Sequence, residues 1–302
     1  MSFSSEAKKE IAATLPDKLC CRAAQLYGML EFGHAFHREE ISLQTEQPAV
    51  ADVYDHLLPR ICGVPAPRRD SLRRRVTLQQ SSIPSAADRQ KVLERFGHSG
   101  NEISLRLNRA NVDCDQCARA LLRGAFLACG AVTDPEHDYH LEFSVPHYNL
   151  SRDLLALLRE VDLPAKTVTR SGSYIVYIKE SERIEDCLTY LGAQKAALEM
   201  MGVKMVKSIR NDTNRRINCE SANIDKTVQA ATLQLEAVRK IERSVGLSAL
   251  PPELQELAQL RLDNPDMSLR DLGAALDPPI SRSGANHRLQ RILAFADKLT
   301  EE

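Results

Sequence analysis

An apolar helix with a glycine at its centre occurs twice in the first half of the chain. The two segments are residues 20–33 and 117–130, and their central glycines, Gly28 and Gly124, are separated by roughly the length of one small domain. A glycine at this place lets a second helix approach closely. The repetition therefore predicts two copies of one unit, packed through these helices across a pseudo-twofold axis.

The same order of elements follows both helices: strand, helix, strand and helix. The predicted segments are about 35–43, 50–62, 72–79 and 86–95 in the first copy, and 139–145, 152–161, 166–179 and 183–191 in the second. We therefore predict an α+β fold with duplicated αββαββα-like units in residues 1–200, the repeats lying at about 15–110 and 111–200.

Residues 247–302 have the pattern of a separate all-α domain with three short helices. Asn264-Pro265 ends the first helix, because a residue before proline is disfavoured in the α region. Ser268 is a predicted N-cap of the second helix, and Ser281 of a third that continues to about Leu299. Two short helices joined by a tight turn place the second in a DNA major groove, so this pattern predicts a helix-turn-helix.

The third helix of this domain has two different faces. Its apolar side chains recur at helical spacing, which predicts a buried stripe. Arginine, asparagine and glutamine match base edges and phosphates, and they occupy the other side. The predicted DNA-binding residues are Ser281, Arg282, Ser283, Asn286, His287, Arg288, Gln290 and Arg291. The alternative is an ordinary solvated helix face.

A strongly basic strand is predicted in the first copy, and the matching strand of the second copy also begins with cations. These candidate phosphate contacts are Arg68, Arg69, Arg73, Arg74, Arg75, Lys166 and Arg170. An exposed edge strand protected by charge would account for the same residues equally well.

Residues 201–246 are predicted to form a helical linker with an asparagine-rich motif. Asparagine is a poor residue for a helix interior, so we expect these side chains to act in capping, inter-domain bonding or phosphate contact. The motif residues are Asn211, Asn214, Arg215, Asn218, Glu220, Asn223 and Lys226.

The composition is that of a globular protein, with 43% hydrophobic residues, 27% charged residues and a net charge of −1. This charge excludes a histone-like polycation but not a small sequence-specific DNA-binding module. No apolar run approaches the ~20 residues of a membrane span. We therefore expect a cytoplasmic, nucleoid-associated protein.

Eight cysteines show no disulfide-framework spacing, so free thiols are expected. Cys114 and Cys117 form a C-x-x-C pair, but adjacent Cys20 and Cys21 are poorly spaced to complete one tetrahedral zinc site. We expect both pairs to pack the starts of helices, and we predict no metal and no cofactor.

Residues 26–34 and 122–130 resemble eroded copies of the LAGLIDADG helix of homing endonucleases. In that family each helix supplies one acid at the penultimate motif position, and the two acids bind the divalent metals that drive phosphodiester hydrolysis. The matching positions here are Gly33 and Cys129, neither of which is a hard oxygen ligand. Glu31 is close in sequence but lies on a different side of the helix. The resemblance therefore implies the scaffold without its catalytic acids.

Four segments together resemble the WhiA family of transcriptional regulators, over essentially the whole chain. They are residues 2–4, Cys20-Cys21-Arg22, residues 214–223 and residues 278–289. The resemblance implies a LAGLIDADG-like domain without nuclease acids and a helix-turn-helix domain resembling sigma factor region 4. It also implies a role in sporulation septation and cell division in Gram-positive bacteria. Promoter DNA, RNA polymerase and a WhiB-type iron–sulfur protein are the implied partners.

Three function classes follow from these patterns. The leading hypothesis is a non-enzymatic, sequence-specific DNA-binding regulator. The second is a metal-dependent DNA endonuclease, which requires acids that the paired helices lack. The third is an interaction module that docks RNA polymerase or another protein.

Overall fold

The computed structural model of the 302-residue chain describes residues 2–65, 67–73 and 76–299, and only the backbone of Arg73 and Val76. The chain forms two compact units, residues 1–207 and 208–302. Within the described ranges, no helix combines the length and the apolar character that crossing a membrane requires.

The first unit begins with helix α1 (Phe3–Ala12) and continues with two repeats of the same seven elements. The first repeat consists of α2 (Leu19–Glu31), β1 (Ala35–Phe36), β2 (Ile41–Thr45), α3 (Pro48–Cys62), β3 (Arg68–Arg73), β4 (Val76–Ser82) and α4 (Ala86–Arg95). The second consists of α5 (Cys117–Cys129), β5 (Gly130–Val132), β6 (Leu141–Val145), α6 (Tyr148–Glu160), β7 (Lys166–Arg170), β8 (Ser173–Ile178) and α7 (Ser181–Leu191). The predicted duplication of an αββαββα unit is confirmed.

Each repeat contains an antiparallel four-stranded sheet, and the strand orders correspond: β1-β2-β4-β3 and β5-β6-β8-β7. Strand β6 shows why these segments form half-buried strands. Leu141, Phe143 and Val145 are buried, whereas Glu142 and Ser144 between them are not, because successive side chains point to opposite faces. The predicted basic strands are β3 and β7, and each lies at the edge of its sheet.

Helices α2 and α5 touch backbone to backbone at their central glycines. A Cβ atom added to Gly28 would lie 2.2 Å from the carbonyl oxygen of Leu121, and one added to Gly124 would lie 2.0 Å from that of Gln25. These distances are too short for any side chain. The predicted close packing of the two helices through glycine is therefore confirmed, and the contact is reciprocal.

Helix α8 (Gln194–Ser244) is longer than the predicted linker and passes from the first unit into the second. The second unit also contains α9 (Pro252–Asp263), α10 (Leu269–Ala274) and α11 (Arg282–Lys298). Val238 and Ile241 of α8 are fully buried in the core of this unit, so we propose that the second domain includes the end of α8 ahead of residue 247. Their apolar side chains complete a core that residues 247–302 alone would leave open.

The predicted caps of the helix-turn-helix are present. The side chain of Ser268 accepts a hydrogen bond from the backbone N–H of Asp271, and that of Ser281 accepts one from Gly284. These bonds satisfy backbone donors that a helix start leaves without a partner.

The two cysteine pairs lie together at the starts of α2 and α5, although their spacing in the sequence was expected to be poor for one tetrahedral site. Cys20 and Cys21 are in the first turn of α2, Cys117 begins α5, and Cys114 precedes it. The Sγ atoms of all four lie within 4.8 Å of one another. The packing of α2 on α5 brings the two helix starts together, although more than 90 residues separate the pairs in sequence.

We predict that Gly28→Ala destabilises the first unit by roughly 3 kcal/mol, because the added methyl group forces α2 and α5 apart. Urea unfolding of the full chain measures this loss. The matched control is Gly202→Ala in α8, where an added Cβ meets nothing within 4 Å. That change is expected to stabilise the chain by up to ~1 kcal/mol. Equal stabilities of the two variants would contradict the account of the helix contact.

Candidate nucleic-acid interface

The solvent-facing side of α11 carries side chains that are free to bind a ligand. Ala285, Leu289 and Ile292 are buried and fix the helix on the core of its unit. The polar side chains are thereby held on the exposed face. Those that make no hydrogen bond or ion pair with any described residue are Arg282, Ser283, Asn286, His287 and Gln290.

Arg288 and Arg291, also predicted DNA contacts, are held by helix α9. The Arg291 guanidinium forms an ion pair with the carboxylate of Glu253, and Arg288 donates a hydrogen bond to the Glu253 carbonyl oxygen at 3.3 Å. The hydrogen bond and charge of Arg291 lower the pKa of the Glu253 carboxyl below its ordinary value. The structure thus divides the predicted set into five unengaged side chains, two arginines that already connect α11 to α9, and Ser281, whose hydroxyl is engaged as the N-cap of α11.

The geometry of the helix-turn-helix depends on two residues that sequence reasoning missed. Arg261 is only 2% exposed and donates hydrogen bonds to the Met267 carbonyl and to the side-chain oxygen of Gln234. Gly273 lies so close to Ile280 that an added Cβ would be 2.6 Å from its carbonyl oxygen. A glycine in the last turn of the short helix α10 was a usable signal for a close backbone approach. Nothing in the sequence indicated a buried arginine, because arginine is normally exposed.

A groove of the second unit brings Arg282 near two further cations. Arg270 of α10 and Lys226 of α8 line the same groove, together with the carboxylate of Asp266. Arg270 is exposed and was absent from the predicted set because it lies on the first helix of the motif. With the buried Arg261, four cations and one carboxylate line this groove, which gives it a positive potential suited to phosphate.

The remaining residues of the asparagine-rich motif are exposed along the middle of α8: Asn211, Asn214, Arg215, Asn218, Glu220 and Asn223. Helix continuity through this stretch excludes the expected capping role. Glu220 pairs locally with Arg216 at 3.6 Å. The side chains of Asn211, Asn214 and Asn218 share one helix face and have no hydrogen-bond partner in the part of the chain that the structure describes.

The predicted phosphate contacts of the first unit differ in their surroundings. Arg68 forms ion pairs of 2.8 and 2.7 Å with Asp52 and Asp55 of α3, so we remove it from this set. Arg69, Lys166 and Arg170 are exposed on the two edge strands. Arg74 and Arg75 lie outside the described residues, as does the side chain of Arg73.

The two positions that carry acids in LAGLIDADG endonucleases line one pocket at the ends of α2 and α5. A Cβ on Gly33 would lie 2.8 Å from the Met29 carbonyl oxygen, so a longer side chain does not fit there without a backbone shift. Burial raises the pKa of the Cys129 thiol to about 12. Glycine and cysteine have no carboxylate, so neither position can supply one to a metal ion.

The ammonium group of Lys8 lies in the same pocket as Gly33 and Cys129. Lys8 of α1 lines the same pocket, and its Nζ donates a hydrogen bond to the Leu127 carbonyl oxygen at 3.2 Å. Glu46 is the only carboxylate among the described residues of the lining. One acid beside an ammonium group is not the acid pair that phosphodiester hydrolysis by divalent metals requires.

Glu31 does not replace the missing acids, because it faces the interior of the first repeat. Its Oε1 accepts a hydrogen bond from the Tyr27 hydroxyl at 2.7 Å and lies 2.9 Å from Nε2 of His98. Burial raises the pKa of the Glu31 carboxyl, against the opposing effect of His98. This acid belongs to a buried network.

The chain is similar to proteins of one family over its two units. Residues 118–210 match the WhiA LAGLIDADG-like domain, and residues 213–296 match the WhiA C-terminal HTH domain. The probable cell division protein WhiA of Alkaliphilus metalliredigens is 35% identical over 313 residues, covering 99% of this chain and 98% of the relative. The corresponding protein of Alkaliphilus oremlandii is 38% identical over 321 residues, covering 100% and 98%.

A solved structure has the same fold. The crystal structure of full-length DUF199/WhiA from Thermotoga maritima superimposes with a TM-score of 0.61 at 21% sequence identity, covering 99% of both chains.

Proposed function

The chain belongs to the WhiA family, and from this premise we propose that it is a sequence-specific transcriptional regulator of cell division that has no nuclease activity. The unengaged polar face of α11 is the observation that carries the proposal. We extend it to sporulation septation in a Gram-positive bacterium and to a cytoplasmic, nucleoid-associated location, as the family resemblance implies.

The proposed contacts follow from the order of side chains along α11. Arg282 and Asn286 are one turn apart, and the start of a recognition helix is the part that enters the major groove. A guanidinium matches guanine or phosphate, and a carboxamide matches the edge of adenine. Arg288 and Arg291 hold α11 on α9, so they orient the reading face in this scheme.

The first unit contributes auxiliary phosphate contacts in this proposal. Arg69, Lys166 and Arg170 support it, since they are exposed on corresponding edge strands of the two repeats. Such contacts add affinity without sequence information.

Binding of a protein partner is a second proposed function of the second unit. On helix α8, the side chains of Ile217, Ile224 and Val228 are each more than half exposed to solvent. Apolar residues at helical spacing are usually buried against another part of a protein. RNA polymerase and a WhiB-type iron–sulfur protein are the proposed partners.

We predict that Arg282→Ala weakens binding to DNA and reduces the slope of log affinity against log salt by about 1, because one phosphate contact is lost. Fluorescence anisotropy of the intact protein with a genomic fragment that it selects measures both quantities. Arg291→Ala is the comparison variant, and its slope is expected to change less because Glu253 already pairs with this arginine. A slope unaffected by Arg282→Ala would contradict the assignment.

Supercoiled plasmid incubated with the intact protein and Mg²⁺ or Mn²⁺ is expected to stay uncut, because Gly33 and Cys129 supply no carboxylate pair. A known metal-dependent nuclease in the same buffer is the positive control. The expectation is contradicted if the wild type nicks the plasmid and Glu46→Gln abolishes the nicking. That result would show that the pocket at these helix ends retains metal-dependent hydrolysis.

A further inference from the structure

Four thiols meet at the starts of the two central helices of the first unit. The Sγ atom of Cys114 lies 3.7 Å from that of Cys20, 3.6 Å from that of Cys21 and 3.5 Å from that of Cys117. The Sγ atoms of Cys21 and Cys117 are 3.8 Å apart. The two remaining pairs are also within 4.8 Å. Each repeat contributes two of the four sulfur atoms.

These distances can be compared with those of a tetrahedral metal centre. A Zn–S bond of about 2.3 Å places the four sulfur atoms of a tetrahedron about 3.8 Å from one another. Four of the six pairs here are at 3.5–3.8 Å. The arrangement therefore has nearly the size of a Cys₄ shell around a single ion, before any adjustment of side-chain torsions.

Other uses of four cysteines fit less well. A disulfide requires sulfur atoms about 2 Å apart and would employ only two of the four thiols. An iron–sulfur cluster places several iron and sulfide ions between its cysteine ligands, which needs more room than a group within 4.8 Å provides. A single tetrahedral ion that prefers soft thiolate ligands uses all four residues at once.

We infer that Cys20, Cys21, Cys114 and Cys117 bind one structural Zn²⁺ ion that links the two repeats. All four ligands come from the protein, and no position is left open for a substrate or a reactive water, as in structural zinc sites. The ion joins residues more than 90 positions apart in sequence, at the helix ends opposite Gly33 and Cys129. This inference does not depend on the proposed function.

Positive charge lies near the four thiols. Cys20, Cys21 and Cys117 lie in first turns of helices, where the positive end of the helix dipole stabilises negative charge. A Zn²⁺ with four thiolates carries two net negative charges. The groove that Cys21 lines is also lined by Lys18, Arg119 and Arg123, against one acid, Asp17.

Metal analysis of the intact protein, purified under reducing conditions without chelators, tests the inference. Wild type is expected to contain about one Zn²⁺ per chain. The Cys114→Ser/Cys117→Ser double variant is expected to contain almost none. The matched control is Cys219→Ser, which changes an exposed cysteine of α8 and is expected to retain the ion.

Cobalt substitution of the wild type keeps the test decisive if the double variant does not fold. Co²⁺ added to metal-free, reduced protein is expected to produce the absorption of tetrahedral thiolate coordination, saturating at about one ion per chain, and to raise the melting temperature. Absence of zinc from the wild type together with absence of this absorption would overturn the inference. Zinc retained in the double variant, or a Cys114–Cys117 disulfide in metal-free native protein, would also overturn it.

Discussion

The direct contact between α2 and α5 is the constraint on which the rest of the first unit depends. Gly28 and Gly124 each lie against the backbone of the partner helix, at distances that exclude a Cβ atom. Because the two helices belong to different repeats, this contact sets the relation between the two sheets. It also determines what lies at the two ends of the helix pair: the thiols at the starts, and Gly33 and Cys129 at the ends.

The two ends of this helix pair have different chemistry. In the endonucleases that the repeats resemble, the ends carry the acids that bind catalytic metal. Here the same positions are a glycine too crowded for a side chain and a thiol whose pKa is raised by burial, with the ammonium group of Lys8 nearby. The scaffold thus keeps its packing without the acid pair. We propose that α11 of the second unit, with its unengaged polar face, reads the DNA sequence.

The parts of the structure that depend on local sequence could be predicted. The glycine-centred repeat predicted the helix contact, and the caps at Ser268 and Ser281 predicted two helix starts, because neighbouring residues determine both. Contacts between distant segments could not be predicted. The ion pairs of Arg68 with α3, the buried Arg261 and the meeting of the four cysteines each require a partner that only the folded chain supplies. For the same reason, sequence could not separate Arg291, held by Glu253, from the unengaged Arg282.

Selection of binding sites from random DNA by the intact protein tests the central claim most directly. Asn286→Ala in α11 is compared with the Arg69→Ala/Arg170→Ala double variant on the edge strands. The account predicts that Asn286→Ala relaxes the preference at one base pair, by about 1–3 kcal/mol of discrimination. The double variant is predicted to select the wild-type sequence with lower affinity. If the double variant loses the preference while Asn286→Ala retains it, the first unit reads the DNA sequence and the claim is contradicted.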